Sequence, residues 1–308
     1  MGHRGGLNIV EHVSVEVRYF SDPACTWSWA AEPALRRIIF EFDGELDLVW
    51  AMGGLARRFG RAYRDSEAAI GTGPDCFADL MSHWLNVAGR TGMPCDPRLW
   101  TEAPLSGTFP ASIAVEAASE QGWEAAYRYL RRVREGILCG RRKLDQRAAL
   151  VAEAGPAGLD VSAFEAALDS ERPEAAFAAH MAEAREVPPA ARESGKTSVT
   201  EGNERLSFPS AIFVGADGER HGVWGYQPVE AYREAALAAG ARQTNTGELP
   251  ILDAAARFAR LAEPEVELLT QTDPTTTRAE LWRLAAEGAL EPVSALTGTL
   301  WQLPGAGR

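Results

Sequence analysis

The hydrophobic pattern of the chain begins with a strict alternation. Residues 13–20 (VSVEVRYF) carry apolar, β-branched or aromatic side chains at every second position, which predicts a half-buried strand. A turn at residues 21–23 follows, and from Cys25 onward the apolar side chains have helical spacing, with Pro33 expected to kink the helix. The sequence LDLVWAM then predicts a second strand. Strand, helix and strand in about forty residues indicate a βαβ unit with two parallel strands.

Helical periodicity dominates the middle of the chain, from about residue 60 to about residue 200, where the pattern shows no convincing strand. Alternation then returns and predicts strands at 210–215 and 219–225. Because the turn between them is too short for a parallel crossover, these two strands should be antiparallel. With a helix predicted over 228–239, the order is β-α-β, a large helical block, and β-β-α.

The segment after Gly240 (ARQTNTGELP) has the composition of a linker. Beyond it, the pattern predicts three helices and a small hairpin, at 251–262, 264–270, 275–287 and 289–302. This order resembles a winged helix, but residues 245–308 hold five Arg against nine Asp or Glu, which is a poor surface for DNA. We interpret the tail as a docking or lid element, with a helical extension that covers apolar surface as the alternative.

Composition narrows the class of protein. The chain has 308 residues, of which 46% are hydrophobic and 24% charged, so it can bury a sizeable core. Its net charge of −12 argues against a nucleic-acid partner, which would draw affinity from Lys and Arg at phosphates. No apolar run approaches the ~18 to 20 residues that cross a bilayer, and the N-terminus lacks a signal-peptide core. We therefore expect a cytoplasmic protein that does not act at a membrane.

The cysteines limit the sulfur chemistry. Four cysteines in so long a chain cannot form a disulfide scaffold, and their spacing contains neither CxxC nor a zinc knuckle. The five histidines do not cluster either, so we expect no metal site. Any sulfur chemistry must therefore depend on one thiol at a time. We interpret Cys76, Cys95 and Cys139 as structural, which leaves Cys25.

Cys25 lies at the predicted start of a helix. Unsatisfied backbone N–H groups and the helix dipole favour an anion there, so the pKa of this thiol is predicted to fall below that of a free cysteine. Ser28, one turn further along, could donate a hydrogen bond to the thiolate and lower the pKa again. A buried Glu32 behind the thiol would raise the pKa.

Three segments together carry a resemblance to a known family. They are SDPACTWSWAAEP at 21–33, Gly53-Gly54-Leu55 after the second strand, and LSFPSAIFV, which places Pro209 just before the third strand. Over about residues 12–240 the chain resembles the DsbA-like thiol-disulfide oxidoreductases, particularly the cytosolic group with a DPxCxWCW pattern. The resemblance implies an α/β protein with a thioredoxin fold (β-α-β … β-β-α) and a large all-helical insertion. The sequence pattern adds a C-terminal helical extension of winged-helix-like order.

The resemblance also implies roles for individual residues. It implies a catalytic Cys25 with an acidic residue, Glu32, near it, and together with the hydrogen-bonding Ser28 these residues form the catalytic group that we predict. It further implies that Pro209 forms a cis peptide bond, which leaves the backbone of Phe208 free to pair with an extended substrate. The residues expected to contact substrate are Trp27, Phe208, Pro209, Gly53 and Gly54, with Thr108 and Ser112 in the insertion as weaker candidates.

This chain departs from the family pattern at Ser28, where the family has its second cysteine. In a CxxC protein the second thiol resolves the mixed disulfide that the first one forms. Here another thiol has to resolve it: glutathione, another low-molecular-weight thiol such as mycothiol, or a second cysteine of the substrate. We therefore predict monothiol exchange or isomerisation on a protein or small-molecule disulfide, with no bound cofactor.

Two alternatives remain open. One is a glutathione-dependent enzyme similar to the kappa-class glutathione transferases or the hydroxychromene-carboxylate isomerases, whose active serine would be expected at the position of Cys25 and not at Ser28. The other is a non-catalytic adaptor. Some cytosolic DsbA-like proteins with a helical tail deliver a client protein to a protease, and a missing second cysteine and an acidic tail fit that role.

The chain length corresponds to about two domains, and the order of elements threads one of them through the other. We predict that the thioredoxin-like domain spans residues 12–58 and 205–240. The helical insertion would occupy residues 59–204, and the C-terminal extension residues 241–308.

Overall fold

The computed structural model describes residues 14–59 and 76–306, except for the side chain of Cys76. The predicted βαβ unit is present, although residues 12 and 13 of its first domain lie outside the described residues. It consists of β1 (Val15–Ser21), α1 (Thr26–Ala30), α2 (Glu32–Glu41) and β2 (Leu46–Met52). The sequence pattern predicts one kinked helix here, but the structure has two helices, which are separated at Ala31. Pro33 lies in the first turn of the second helix. Backbone N–H groups in the first turn have no acceptor within the helix, so a proline breaks no hydrogen bond there.

A four-stranded mixed sheet in the order β2-β1-β5-β6 forms the centre of the fold. Its second half contains β5 (Ser210–Val214), β6 (Arg220–Trp224) and α11 (Val229–Ala238). β1 and β2 are parallel, from Val15 opposite Leu46 to Ser21 opposite Met52, while β5 runs antiparallel to both β1 and β6. The predicted thioredoxin-like order of strands is thus confirmed, including the antiparallel pair that the short turn requires.

Helices occupy most of the chain between the two halves of the sheet. They are α3 (Cys76–Thr91), α4 (Leu99–Glu102), α5 (Phe109–Ser119), α6 (Trp123–Leu138), α7 (Arg147–Val151), a 3-10 helix (Gly155–Ala157), α8 (Val161–Leu168), α9 (Arg172–Glu183) and α10 (Pro189–Glu193). α5, α6 and α9 pack against β2, and Trp50 of β2 stacks on Tyr127 of α6 with ring centroids 5.0 Å apart. The insertion therefore shares one hydrophobic core with the sheet.

Two short strands form an antiparallel hairpin before β5. They are β3 (Thr197–Thr200) and β4 (Asn203–Leu206). The prediction of no strand before about residue 200 is therefore wrong, and the predicted boundary between residues 204 and 205 falls inside β4. The segments TSVT and NERL are short and largely polar, so their periodicity does not reveal the pairing.

The C-terminal extension has the predicted order of helices and hairpin. Its elements are α12 (Ile251–Phe258), β7 (Arg260–Ala262), α13 (Glu263–Thr270), α14 (Pro274–Ala286), β8 (Glu291–Ser294) and β9 (Thr299–Gln302). The sequence pattern missed β7, which ends the first predicted helix early and joins the hairpin in a sheet of order β7-β9-β8. The resulting order of helix, strand, two helices and hairpin is winged-helix-like.

In the described parts of the chain, no helix has both the length and the apolar surface that crossing a bilayer demands.

A cluster of buried charges joins α2, α6 and α13. Glu32 of α2 is fully buried and forms ion pairs with Arg134 of α6 and, at 3.2 Å, with Arg131 of the same helix. Arg131 also pairs with Glu265 of α13 at 2.6 Å, and Arg36 of α2 lies 3.3 Å from that carboxylate. Because buried charges require close partners of opposite sign, this cluster fixes the position of the insertion and the extension on α2.

The predicted linker is attached to the end of α2. The backbone N–H groups of Thr244 and Asn245 both donate to the carbonyl of Glu41. The guanidinium of Arg37 donates to the carbonyl of Gly247 at 2.9 Å. The extension is therefore held against the thioredoxin-like domain by its connecting segment as well as by α13.

We predict that Glu265→Gln lowers the free energy of unfolding by about 3–5 kcal/mol, because it leaves the buried guanidinium groups of Arg131 and Arg36 short of one negative charge. The matched control is Glu263→Gln on the same helix, whose surface ion pair with Arg278 should contribute about 0–1 kcal/mol. Urea denaturation of both variants measures the difference. Equal stability of the two variants would contradict the role given to the buried cluster.

Candidate functional site

Cys25 caps the N-terminus of α1, directly after the turn that follows β1. Its Sγ atom accepts a hydrogen bond from the backbone N–H of Ser28 at 3.4 Å. Its thiol donates to the carbonyl of Phe208 at 3.7 Å, and the side chain is only 6% exposed. The helix start and the loop that precedes β5 therefore hold the sulfur between them.

The expected lowering of the Cys25 pKa is not found. Burial raises the pKa of this thiol, and the charge of Asp22 adds to the increase. The side chain and the backbone N–H of Ser28 lower the pKa, as does the charge of Arg205, but these effects do not outweigh burial. The helix start supplies its N–H donor as predicted, yet the loss of water around a buried sulfur is the larger effect. The raised pKa favours the protonated thiol, which can donate to the Phe208 carbonyl.

Ser28 lies in the first turn of α1, next to the Cys25 sulfur. Its side chain is fully buried, and its hydroxyl has no hydrogen-bond partner within the described residues. A hydroxyl proton can rotate to suit its surroundings, so this O–H is free to turn toward Sγ when a thiolate forms. The predicted hydrogen-bonding role of the Ser28 hydroxyl stays a prediction, and the burial of this side chain leaves it no surface for a bound molecule.

Asp22 belongs to the site, although the sequence pattern identified it only as a turn residue. Its buried carboxylate accepts hydrogen bonds from the N–H groups of Ala24 at 2.9 Å and Leu55 at 2.8 Å, and from the Thr108 hydroxyl at 2.6 Å. Burial raises the pKa of Asp22, while these donors lower it. Thr108 and Ser112, which were weak candidates for substrate contact, both donate to Asp22 instead. This carboxylate therefore ties the turn before α1 to α5 and to the end of β2.

Arg205 of β4 is a second residue that sequence reasoning missed. Its guanidinium donates to the Thr200 hydroxyl at 2.8 Å and to the Leu206 carbonyl at 2.6 Å, and it lies 4.0 Å from the centroid of the Phe208 ring. No carboxylate in the described parts of the chain forms an ion pair with it. Burial lowers the pKa of Arg205 to about 10, while the charges of Cys25 and of Asp22 act in the opposite direction. In the sequence, only its position directly before the LSFPSAIFV segment could have identified Arg205 as a site residue.

A cavity of about 250 Å³ opens beside Cys25. Its walls include Trp27, Phe208, Arg205 and strand β3. Trp27 is half-buried, and its ring centroid lies 5.4 Å from that of Tyr226, which is 40% exposed. Trp29 lies in the core, as expected for one of the two tryptophans. The thiol, a cation and an aromatic surface therefore meet in one place.

The loop before β5 brings Phe208 to the wall of this cavity, and the peptide bond that joins it to Pro209 is cis. The expected contact of Pro209 with substrate stays a prediction. The two glycines at the end of β2 do not line the cavity, because side chains fill the space beside them. A Cβ atom on Gly53 would lie 2.0 Å from the Phe208 ring, and one on Gly54 would lie 2.9 Å from the Phe109 ring. These glycines permit close packing of the two rings, and their expected contact with substrate stays a prediction.

Glu32 lies in the buried charge cluster, and no contact with the thiol is observed. Burial would raise the pKa of its carboxylate, but the charges of Arg131, Arg134 and Arg36 outweigh burial and lower it. Arg134 also donates to the hydroxyl of Ser21 at 2.7 Å, at the end of β1. Glu32 can therefore position the turn through Arg134, and its expected catalytic role stays a prediction.

Two other cysteines fit the structural role predicted for them. Cys95 and Cys139 are buried, and their thiols donate to the carbonyls of Trp84 and Pro94. Burial raises the pKa of Cys95 to about 11, and it raises that of Cys139 well above the usual value. The side chain of Cys76 lies outside the described residues. Among the residues that are described, no group of three or more His, Cys, Asp or Glu is placed to hold a metal ion.

The fold and the site together define a thioredoxin-like protein with one thiol at the turn between its first strand and first helix. The model of the family described as thioredoxin matches residues 19–188, which is more than half of the chain. This chain belongs to that family.

Relatives and solved structures extend the comparison. A relative from Bacillus subtilis (strain 168), named ClpXP adapter protein SpxH, is 24% identical over 294 residues, which cover 94% of this chain and 89% of that protein. A protein of the same name from Halalkalibacterium halodurans is 30% identical over 156 residues, or 51% of this chain, and the match spans only 49% of that protein's length.

Two solved structures are similar in fold. A candidate protein disulfide isomerase from Nitrosomonas europaea has a TM-score of 0.56 at 21% identity, covering 73% of this chain and 97% of that one. The cytosolic disulfide reductase DsbM from Pseudomonas aeruginosa has a TM-score of 0.51 at 22% identity, covering 72% of this chain and 98% of that one. At these identities the similarity establishes the fold alone.

We predict that the rate of Cys25 alkylation by iodoacetamide rises with pH around a midpoint above the ~8.5 of a free thiol, because the thiolate is the nucleophile. Ser28→Ala should move the midpoint higher, and Asp22→Asn should move it lower, since the Asp22 charge disfavours the thiolate. Ser119→Ala, remote from the cavity, is the control and should not move it. Mass spectrometry of the Cys25 peptide gives the rates, and a plateau reached well below pH 8 would contradict the raised pKa.

Proposed function

We propose that this chain catalyses thiol-disulfide exchange through Cys25 alone. The observation that carries the proposal is the position of Sγ at the wall of a cavity, between the Ser28 N–H and the Phe208 carbonyl, with the Arg205 guanidinium lining the same cavity. The similar solved proteins described as a disulfide isomerase and a disulfide reductase support this class of reaction. The function rests on the site, since a thioredoxin fold alone does not specify one.

The proposed exchange has two steps. The Cys25 thiolate attacks one sulfur of a substrate disulfide, forms a mixed disulfide, and releases the other sulfur as a thiolate, which takes up the proton that Cys25 lost. A second thiol then attacks the substrate sulfur of the mixed disulfide, which restores Cys25 and leaves a new disulfide. Because Ser28 carries no sulfur, the second thiol comes from solution or from the substrate. The protein itself is neither oxidised nor reduced over the cycle.

Arg205 is suited to the charged stage of this cycle. A buried cation that lacks a carboxylate partner is costly, because the loss of water around it is not compensated. A thiolate at Cys25, or a carboxylate of a bound substrate, would supply the missing negative charge. Ser28 would stabilise the same thiolate with its backbone N–H and with its free hydroxyl. Burial raises the pKa of the resting thiol. The Ser28 N–H, the Ser28 hydroxyl and the charge of Arg205 act in the opposite direction and would favour its ionisation during the reaction.

We propose glutathione, or another low-molecular-weight thiol, as the second thiol. Glutathione carries two carboxylates and an extended backbone, which suit the Arg205 guanidinium and the strand β3 that line the cavity. The similar P. aeruginosa DsbM has also been solved with GSH. The alternative of a serine-based transferase or isomerase is less well supported, because Ser28 is fully buried and Cys25 occupies the helix start.

A second candidate function is that of an adaptor for a client protein. The B. subtilis relative named ClpXP adapter protein SpxH matches 94% of this chain, so the match includes most of the C-terminal extension. Trp27 and the exposed ring of Tyr226 form an apolar surface on which a client could dock. In this role the Cys25 thiol would not be required.

We predict that Cys25→Ser reduces glutathione-dependent reduction of a glutathionylated peptide to the uncatalysed rate, because a hydroxyl cannot form the mixed disulfide. The control Cys95→Ser should keep the wild-type rate, since this buried thiol has a pKa of about 11 and takes no part in exchange. An assay coupled to glutathione reductase, which follows NADPH consumption, measures both rates.

The same two variants separate the enzyme from the adaptor. Each is returned to cells that lack the chain, and protein abundances are compared by quantitative proteomics. Loss of the wild-type pattern with Cys25→Ser, but not with Cys95→Ser, supports thiol exchange. Full restoration by Cys25→Ser, together with equal exchange rates for Cys25→Ser and the wild type in vitro, would replace the enzyme with the adaptor.

A further inference from the structure

A second cavity, of about 380 Å³, shares no lining residue with the thiol site. It forms where α2, α6 and the segment after α12 meet, so the thioredoxin-like domain, the insertion and the extension each contribute to its walls. Small-molecule sites commonly occur at such junctions and enclose about 300–1,000 Å³. We refer to this space as the junction cavity.

Arginines dominate the lining of the junction cavity. Six of them line it, against two glutamates, Glu124 and Glu135. The arginines are Arg36, Arg128, Arg131, Arg132, Arg257 and Arg260. Such an excess of cations is unexpected in a chain whose net charge is −12.

Ion pairs with neighbouring carboxylates do not remove this excess. The lining arginines form ion pairs with four further carboxylates, those of Glu32, Glu265, Glu153 and Asp43. Glu32 also pairs with Arg134, and Glu153 also pairs with Arg142. Within the described residues, this set contains eight arginines and six carboxylates, because Glu32 and Glu153 are each shared with an arginine outside the lining. The set therefore has an excess of two positive charges. A ligand with two negative charges would balance it.

Arg128 and Arg132 show where this charge is least compensated. Arg128 is exposed at the cavity and donates to the Ala157 carbonyl, and no carboxylate in the described residues pairs with it. Arg132 pairs with Glu153, which Arg142 also contacts. Burial lowers the pKa of Arg132, and the positive charge of Arg260 lowers it further. A bound anion would relieve this repulsion.

The backbone at the rim of the cavity is strained. Ala259 has φ 63° and ψ −72°, a conformation rarely adopted by a residue with a side chain. Arg36 holds this turn, because its guanidinium donates to the carbonyls of Phe258 and Arg260. Strained residues that the surrounding structure enforces are concentrated at ligand-binding and switch sites.

Aromatic rings complete the walls. Trp123 is half-buried, while Tyr127 and Phe258 are buried, and all three line the cavity. Rings of this kind stack on planar groups, and guanidinium groups bind phosphate with two parallel hydrogen bonds. The lining therefore suits a molecule that has both a planar apolar part and a dianionic end.

We propose that the junction cavity binds a small phosphorylated molecule with a planar ring, such as a nucleoside monophosphate. The phosphate contacts Arg128 and Arg132, and the ring lies against Trp123, because Arg36 and Arg257 already lie over the Phe258 ring. Since the walls come from all three parts of the chain, the ligand holds the insertion and the extension on α2. This site is separate from Cys25 and does not depend on the proposed exchange reaction.

Calorimetric titration of the full chain with AMP tests the proposal, with adenosine and inorganic phosphate as partial ligands. AMP should bind the wild type with one site per chain and should raise the melting temperature. Arg128→Ala should weaken AMP binding by about tenfold or more, as should the second variant Arg132→Ala, because each removes a charged donor to the phosphate. The control Arg192→Ala, at a surface ion pair with Glu204, should bind AMP like the wild type.

Adenosine and phosphate should each bind at least about tenfold more weakly than AMP. No binding of AMP at millimolar concentration overturns the proposal. If Arg128→Ala and Arg132→Ala bind AMP as tightly as Arg192→Ala does, the ligand lies elsewhere, which also overturns the proposal. If adenosine binds as tightly as AMP, the proposed phosphate contact is excluded. If inorganic phosphate binds as tightly as AMP, the proposed ring contact is excluded. Cys25 alkylation rates in the same variants should stay at the wild-type value.

Discussion

The ion pairs of the buried Glu32 carboxylate are the interactions on which the rest of the structure depends. Three arginines surround this carboxylate: Arg36, Arg131 and Arg134. Through Arg134 it reaches the end of β1, and through Arg131 it reaches Glu265 of the extension. Buried charges add little net stability, but they tolerate few alternative arrangements because each needs its partners in place. The cluster therefore determines how three parts of the chain meet at one helix.

The turn that presents Cys25 lies against one end of this cluster. Asp22 in the turn is buried and fully hydrogen-bonded, and the thiol is enclosed between α1 and the loop before β5. Enclosure removes water from the sulfur and raises its pKa, while the helix start and Arg205 act in the opposite direction. The site thus holds a thiol of raised pKa beside Ser28 and Arg205, which favour its thiolate. A missing second cysteine leaves resolution to an external thiol.

The sheet and its helices could be predicted from the sequence because their signals are local. Alternation identified β1, β5 and β6, helical spacing identified the insertion, and a turn of a few residues required an antiparallel pair. The remaining features depend on residues distant in the chain. Gly53 packs against Phe208, and Arg205 borders Cys25 only because β4 folds beside α1. The direction of the Cys25 pKa shift is also a result of packing, since a helix start predicts lowering and only burial reverses it.

Mass spectrometry of the intact protein after incubation with glutathione disulfide tests monothiol exchange at Cys25 most directly. We expect one glutathione per chain, mapped to the peptide that contains Cys25, and complete removal of the adduct by excess glutathione. The Cys25→Ser variant should acquire none. An adduct that forms at Cys95 or Cys139 instead, or a Cys25 that remains unmodified while the free thiol of a reference peptide reacts, would contradict the account.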